Sequence, residues 1–229
     1  MAIVKKYPTR VLAIHNHIEG VYTLELESMS NPFKYRPGQF LHFALDEYDF
    51  SEQWPESRCF SMQSSPCEEV IKITYAVKGT FTTRMQQELK PGKQVTLKLP
   101  YGDLFTQQHN KVNTVFIAGG TGITPYLSLF TDFSFASYIN PCLFAGFRSM
   151  KLNLYAKELI IAKQINVNLD DTYTYQDSQG ILDIKFILEQ SDRSTSFFIS
   201  GPPIMIKNFK SFLLEHGILR FQIKTDDWE

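Results

Sequence analysis

The sequence predicts two domains: an antiparallel β-barrel followed by an α/β domain with a parallel sheet. Three observations carry this reading. Apolar residues in the first half alternate with period two, as in strands with one covered and one solvated face. In the second half the apolar runs are continuous and helical patterns separate them, as in strands covered on both sides. Between the halves lies a polar stretch, TQQHNKVN at 106–113. It places the boundary so that residues 1–108 form the first domain and 109–229 the second.

The elements follow in order. VYTLELE sets Val21, Thr23 and Glu25 on one face and Tyr22, Leu24 and Leu26 on the other. IKITYAV puts Ile71, Ile73, Tyr75 and Val77 on one face, and QVTLKL does the same for Val95, Leu97 and Leu99. RPGQ and KPGK punctuate these strands as turns, and one short helix is expected over 82–89. In the second half TVFIA, CLFAG and FFIS read as buried strands. Helical patterns occupy 125–133, 152–163 and 203–216; in the last, Met205, Phe209, Phe212 and Leu213 recur at helical spacing.

Composition narrows the classes of function. The chain has 229 residues, enough for two modest domains. Its 23 basic and 24 acidic residues nearly cancel, so no bulk field favours nucleic acid or an anionic membrane. No apolar run approaches the ~18 residues of a spanning helix. MAIVKKYPTR is followed by no apolar segment, so no secretory signal is expected. Cys59, Cys67 and Cys142 are too few for a disulfide framework and fit a reducing cytoplasm. They also fall short of the four thiolates of an ordinary iron–sulfur cluster, and no Cys/His spacing suggests a zinc site, so no metal is expected.

The chemistry gathers at two glycine turns. IAGGTGITP, at 117–125, follows a buried strand. Gly120 and Gly122 fill the first two positions of the dinucleotide fingerprint G-x-G-x-x-G, but Pro125 stands at the third. Proline suits the first turn of a helix instead. The next strand ends in GFRS, offering Arg148 where the fingerprint expects a carboxylate. The turn still permits close backbone approach and a helix start facing an anion. SGPPIM, at 200–205, is the second such turn: Gly201 allows it, Pro203 starts a helix and Met205 covers a pocket edge.

With these motifs in place, the chain resembles the ferredoxin–NADP reductase superfamily. Four motifs carry the resemblance in the family's order. RCFSM at 58–62 is similar to its flavin motif Arg-x-Tyr/Phe-Ser, and KGTFTTRM at 78–85 to its Gly-x-x-Ser/Thr motif. AGGTGITP is similar to its nicotinamide-dinucleotide motif, and SGPPIM to Cys-Gly-Pro-Pro-x-Met with serine in the cysteine place. YRPGQF, LPYGDLF and QGILD are weaker matches.

The resemblance implies an FAD-binding barrel and an NAD(P)-binding α/β domain. Arg58 is then the clamp on the flavin pyrophosphate, a task suited to a bidentate guanidinium. Phe60 stacks on the isoalloxazine ring and Ser61 donates near flavin N5, with Cys59 beside them. Gly79, Thr80 and Thr82 open a helix that holds phosphate. Gly120, Thr121, Gly122 and Thr124 take the NAD(P)H pyrophosphate side. Arg148, with Lys151 nearby, reads a ribose or a 2′-phosphate, so NADH and NADPH both stand. Ser200, Gly201, Pro202 and Met205 border the nicotinamide, and Trp228 is the aromatic residue that covers the flavin. Ser61 and Ser200 are the candidate catalytic residues.

The implied activity is a flavoprotein reductase passing hydride from NAD(P)H to bound FAD and electrons to a separate acceptor: ferredoxin, flavodoxin, an oxygenase component or a small molecule. The alternatives are a flavin reductase using free flavin as substrate and a non-catalytic electron-transfer subunit of a larger complex. A cytoplasmic location is expected.

Overall fold

The computed structural model describes residues 3–18, 20–49 and 51–226. The chain divides into two compact units, Met1–Asp103 and Leu104–Glu229. The division falls ahead of the polar stretch 106–113 that the sequence marks as the boundary. Leu104 and Phe105 are already built into the apolar core of the second unit.

Unit 1 is a six-stranded antiparallel sheet: β1 (Lys5–Ile18), β2 (Val21–Ser28), β3 (Phe40–Ala44), β4 (Ser57–Ser61), β5 (Val70–Ala76) and β6 (Gln94–Tyr101). Their order is β4-β3-β6-β1-β2-β5. The two ends meet, because the chain leaving β4 turns onto β5 and the Gln63 N–H donates to the Lys72 carbonyl at 2.8 Å. The result is a nearly closed barrel. The expected inward faces are buried: Leu24, Leu26, Ile71, Ile73, Tyr75, Val95, Leu97 and Leu99 share one core.

One face departs from simple alternation. Thr23, read as facing away from Leu24 and Leu26, is buried too. Its hydroxyl pairs with that of Thr74 at 2.6 Å, and Thr74 donates to Gln63 Oε1 at 2.6 Å. Segment 62–65 covers that face, and a buried hydroxyl must then find a partner.

Helix α1 (Thr80–Glu88) begins two residues earlier than the spacing predicts. The Thr82 hydroxyl accepts from the amides of Lys78 (2.9 Å) and Gly79 (3.1 Å), which pulls the start of the helix back to extended Gly79. Phe81 and Met85, one turn apart, plug into the barrel core.

Unit 2 is a five-stranded parallel sheet: β7 (Asn113–Gly119), β8 (Asn140–Phe147), β9 (Asp170–Tyr175), β10 (Ser196–Ser200) and β11 (Ile223–Thr225). The order is β11-β10-β7-β8-β9. The chain runs outward from β7 to β9, then returns to the other side of β7, so strand order reverses between β7 and β10. In open α/β sheets such a reversal is where ligands bind, beyond the carboxyl ends of the strands.

The helices are α2 (Thr124–Phe130), α3 (Ala156–Ile165), α4 (Gln176–Gln179), α5 (Ile184–Glu189) and α6 (Pro203–Glu215). Both sheet faces are covered. Phe116, Ala118 and Phe198 point into one core, Val115, Ile117 and Ile199 into the other. This is why the strands read as continuous apolar runs.

Two helices are shorter than their patterns. Residue 152 lies in a separate single turn, Met150–Leu152, and α3 starts only at Ala156, because Leu152, Leu154 and Tyr155 reach the core from irregular chain. Helix α2 stops at Phe130, since Asp132 caps a new turn through the Ser134 amide at 2.9 Å and leaves Phe133 exposed.

Candidate functional site

In unit 1 the site residues start from β4. Register with β3 sets Arg58 opposite Phe43 and Phe60 opposite Leu41, on one face. Cys59 and Ser61 share the other. The Arg58 guanidinium stands 5.2 Å from the centroid of Phe81, inside the first turn of α1. Its two terminal nitrogens donate to Glu56 Oε1 and to the Ser57 carbonyl, each at 2.9 Å. Arg58 and the opening of α1 are thus brought together. The first-turn amides of Thr80, Phe81 and Thr82 have no helical acceptor. A Cβ added at Gly79 would meet nothing within 4 Å. A cation, free amides and open space are what an anion needs.

The other unit 1 residues divide. Phe60 is half-buried, edge-on to Phe43 and Tyr75, each at 6.2 Å between centroids. Ser61 is buried beside Phe40. The Thr82 hydroxyl is turned into its own turn, donating to the Gly79 carbonyl at 3.0 Å, so it shapes the helix start. The Cys59 side chain does not join Arg58 and Phe60; its Sγ lies 3.7 Å from His42 Nε2 on the opposite face. Burial first, and the Lys98 charge second, hold that imidazole below its ordinary value. Glu56 and Phe81 are the immediate neighbours of Arg58; the sequence offers Glu56 as an ion-pair partner two residues away, and Phe81 is the one it does not single out. Glu56 stands two residues before RCFSM and Phe81 lies inside KGTFTTRM, but side-chain direction is tertiary information. Gln39 joins the two weaker motifs, accepting from the Arg36 amide and donating to the Gly102 carbonyl, both at 2.8 Å.

In unit 2 the two glycine turns are nested. They leave adjacent strands at the same level, Ser200 opposite Ala118. A Cβ at Gly122 would sit 2.5 Å from the Ser200 carbonyl oxygen and 2.6 Å from Gly201 Cα. One at Gly119 would meet Pro202 and Met205 at 2.8 and 2.9 Å; one at Gly201 would meet Met205 at 2.7 Å and Gly119 at 3.0 Å. At Gly122 and Gly201 backbone meets backbone, which requires glycine, whereas at Gly119 the obstruction is the Pro202 ring and the Met205 side chain. Gly119 was not singled out from sequence, although the GG doublet signals it. Gly120 differs: its φ is +56° and a Cβ would meet nothing within 4 Å. It faces open space at the strand-order reversal.

Around this pair the remaining residues take definite places. Ser200 is buried and its hydroxyl donates to Asp226 Oδ2 at 3.2 Å. Asp226 is fixed by its own amide, which donates to the Ile199 carbonyl at 3.1 Å. The Thr124 hydroxyl donates to the Thr121 carbonyl at 2.9 Å and is buried, so it caps the turn and does not face outward. Pro202 is exposed; Met205 packs over Gly119 and Gly201. Arg148 follows β8, exposed and without an ion pair among the described residues, and Lys151 is exposed in the next turn. Leu182 of the QGILD segment closes over Gly146 at the same end of β8. Trp228 lies outside the described residues. Among the described residues no cluster of His, Cys, Asp or Glu could hold a metal ion, and no helix is long and apolar enough to cross a membrane.

A ferredoxin–NADP reductase from Neisseria gonorrhoeae, solved with bound FAD and NADP, superposes with a TM-score of 0.80, covering 99% of this chain and 99% of its own at 16% identity. The chain has the two-domain fold of the ferredoxin–NADP reductase superfamily. No protein-family model matches it. Among curated proteins it is 24% identical to the phenol hydroxylase P5 protein of Acinetobacter pittii, over 98% of this chain and 66% of that protein. It is also 24% identical to the reductase component of propane 2-monooxygenase from Mycolicibacterium goodii, over 96% of this chain and 67% of that protein. The chain thus spans about two thirds of the length of each of these relatives.

Proposed function

We propose that the chain is a flavoprotein reductase that takes hydride from NAD(P)H onto FAD and passes electrons to a separate acceptor. The observation that carries this is the nested pair of glycine turns at the strand-order reversal of unit 2, on a chain whose unit 1 sets Arg58 against the opening of α1. The relatives named as a monooxygenase reductase component and a phenol hydroxylase protein favour an oxygenase component as the acceptor; ferredoxin and flavodoxin are the other candidates.

The residues fit both groups. On unit 1, Arg58 and the amides of Thr80 and Phe81 would hold the FAD pyrophosphate, in the space left open at Gly79. Phe60 offers a ring for the isoalloxazine and Ser61 a hydroxyl for the hydride-accepting edge. On unit 2, the amides from Gly120 to Gly122 would meet the NAD(P)H pyrophosphate, and Arg148 with Lys151 its ribose or 2′-phosphate. Ser200 would border the nicotinamide, its hydroxyl held in one rotamer by Asp226. Hydride acceptance followed by single-electron release belongs to the flavin when bound. The protein supplies positioning and electrostatics.

Anaerobic titration with NADH and with NADPH tests the reading. Yellow protein bleached by one of them is the expected result, and the same titration gives the nucleotide preference. Protein without flavin affinity, or flavin that neither nucleotide reduces, rejects it. Ser200→Ala is expected to slow flavin reduction about tenfold, equivalent to ~1.4 kcal/mol of barrier, without changing FAD affinity. Asp226→Asn should slow it in the same sense. Stopped-flow absorbance reads both, and unchanged rates would remove the pair from the site.

The ion pair of Arg58 with Glu56 favours a second reading, in which flavin is held loosely and serves as substrate. Glu56 competes with the pyrophosphate for the same guanidinium. Glu56→Gln is therefore expected to tighten FAD binding about threefold, within the ~1 kcal/mol of an exposed ion pair. Fluorescence titration measures it; weaker binding would mean that Glu56 positions Arg58.

A further inference from the structure

We propose that Arg84 is a positioning residue of the flavin-phosphate site: it receives the carboxylate of Glu56 when a phosphate takes Arg58. Glu56 then passes from one guanidinium to the other as flavin loads, and back as it leaves. This role rests on the flavin reading of unit 1, and it belongs to a residue that the Gly-x-x-Ser/Thr match at Gly79 and Thr82 does not include.

Arg58 and Arg84 share Glu56. The carboxylate lies at the end of the chain that joins β3 to β4. Its Oε1 accepts from Arg58 Nη2 at 2.9 Å, while its Oε2 stands 3.9 Å from Arg84 Nη1. The first contact is a hydrogen bond, and the second is ~1 Å too long for one. One carboxylate is thus set between two guanidiniums and bonded to only one of them.

Arg84 is held ready to receive it. On α1 its guanidinium is fixed from two sides. Nη2 and Nη1 donate to Asp46 Oδ1 at 2.5 Å and Oδ2 at 3.3 Å, a bidentate pair with the start of the β3–β4 connection. Nε donates to Glu88 Oε1 at 2.8 Å, one turn along the helix, and Nη2 reaches Glu88 Oε2 at 3.4 Å. A guanidinium has five N–H donors. These bonds engage four of them, and the fifth, on Nη1, is left beside Glu56 without another acceptor among the described residues.

The charges set the direction of transfer. Arg84 is already balanced by Asp46 and Glu88, so a third carboxylate is drawn to it less than to Arg58, whose only other partner among the described residues is the Ser57 carbonyl. Glu56 therefore rests on Arg58 in the free chain. A phosphate oxygen on Arg58 Nη2 would share that nitrogen with Glu56 Oε1, and like charges so close repel. Without Arg84 the carboxylate would return to water or stay and oppose the phosphate. With Arg84 it moves ~1 Å onto an N–H that nothing else uses.

The test is a double-mutant cycle, read by fluorescence titration of the full chain with FAD. Arg84→Met is expected to weaken FAD binding about three- to fivefold, the range of an exposed ion pair. In the Glu56→Gln background the same substitution should weaken it by less than about 1.5-fold, because no carboxylate remains to be received. If Arg84 served only to anchor α1, the loss would be equal in both backgrounds, and that result would overturn the proposal. Unchanged affinity in Arg84→Met would overturn it too. Should the methionine variant not fold, Arg84→Gln keeps a donor for Asp46 and enters the same cycle with the same expectations. Wild-type protein without FAD affinity rejects the flavin reading and this role with it; FAD affinity without coupling rejects the role alone.

Discussion

Arg58→Ala is expected to weaken FAD binding about ten- to hundredfold, from the loss of charge-assisted hydrogen bonds worth ~1.5–3 kcal/mol. The guanidinium is the cation set against the first turn of α1, 5.2 Å from the Phe81 ring, where the amides lack acceptors. One terminal nitrogen is held by the Ser57 carbonyl at 2.9 Å, which limits the ordering left to be done on binding, while Glu56 on the other is the group the pyrophosphate would displace. Arg58→Lys should recover part of the loss, because it restores a charge but not the planar fork. Fluorescence titration with FAD reads all three proteins. Affinity unchanged in the alanine variant would reduce Arg58 to an exposed ion-pair partner of Glu56.

Gly122→Ala is expected to disrupt unit 2 far more than Gly120→Ala, although the two residues are neighbours in one motif. A methyl at 122 would lie 2.5 Å from the Ser200 carbonyl oxygen and 2.6 Å from Gly201. The obstructing atoms are backbone, so no rotamer change relieves the clash, and a cost of ~3 kcal/mol or more follows. A methyl at 120 meets nothing, and only the positive φ penalises it, at ~1–2 kcal/mol. Urea denaturation followed by circular dichroism measures both. On the proposed function, Gly122→Ala also abolishes reduction of flavin by NAD(P)H while leaving FAD affinity in place, since Arg58 belongs to the other unit. Equal destabilisation by the two substitutions would refute the nested-turn account.

These two glycines show how far a motif can be read. Sequence gives the pair Gly120 and Gly122 equal standing as candidate ligand contacts. The structure separates them, because one faces open space and the other faces the backbone of a strand 78 residues later at Ser200. The same separation occurs within RCFSM. Alternation along a strand puts Arg58 and Phe60 on one face, and the side chains follow it; Cys59, expected beside them as a flavin contact, lies instead beside His42. What alternation could not supply was Phe81 against the guanidinium. Thr82 and Thr124, both candidate binders by type and position, spend their hydroxyls on turn carbonyls 3.0 and 2.9 Å away. A threonine at a helix start has a backbone acceptor within reach before any ligand arrives.

The sequence by itself determined the class of each half, the inward faces of barrel strands β2, β5 and β6, and the placement of both glycine turns after buried strands. These are periodic or local properties, set by side-chain alternation and by which residues tolerate a turn. It did not mark β1 or β3, nor β9, since DDTYTY at the sheet edge has one strand neighbour and no continuous apolar run, nor β11, only three residues long. The tertiary structure alone decided the strand order with its reversal between β7 and β10, the nesting of the glycine turns and the Ser200–Asp226 hydrogen bond. Each joins residues far apart in the chain or on different elements, and no local pattern encodes which distant segments the buried apolar faces bring together.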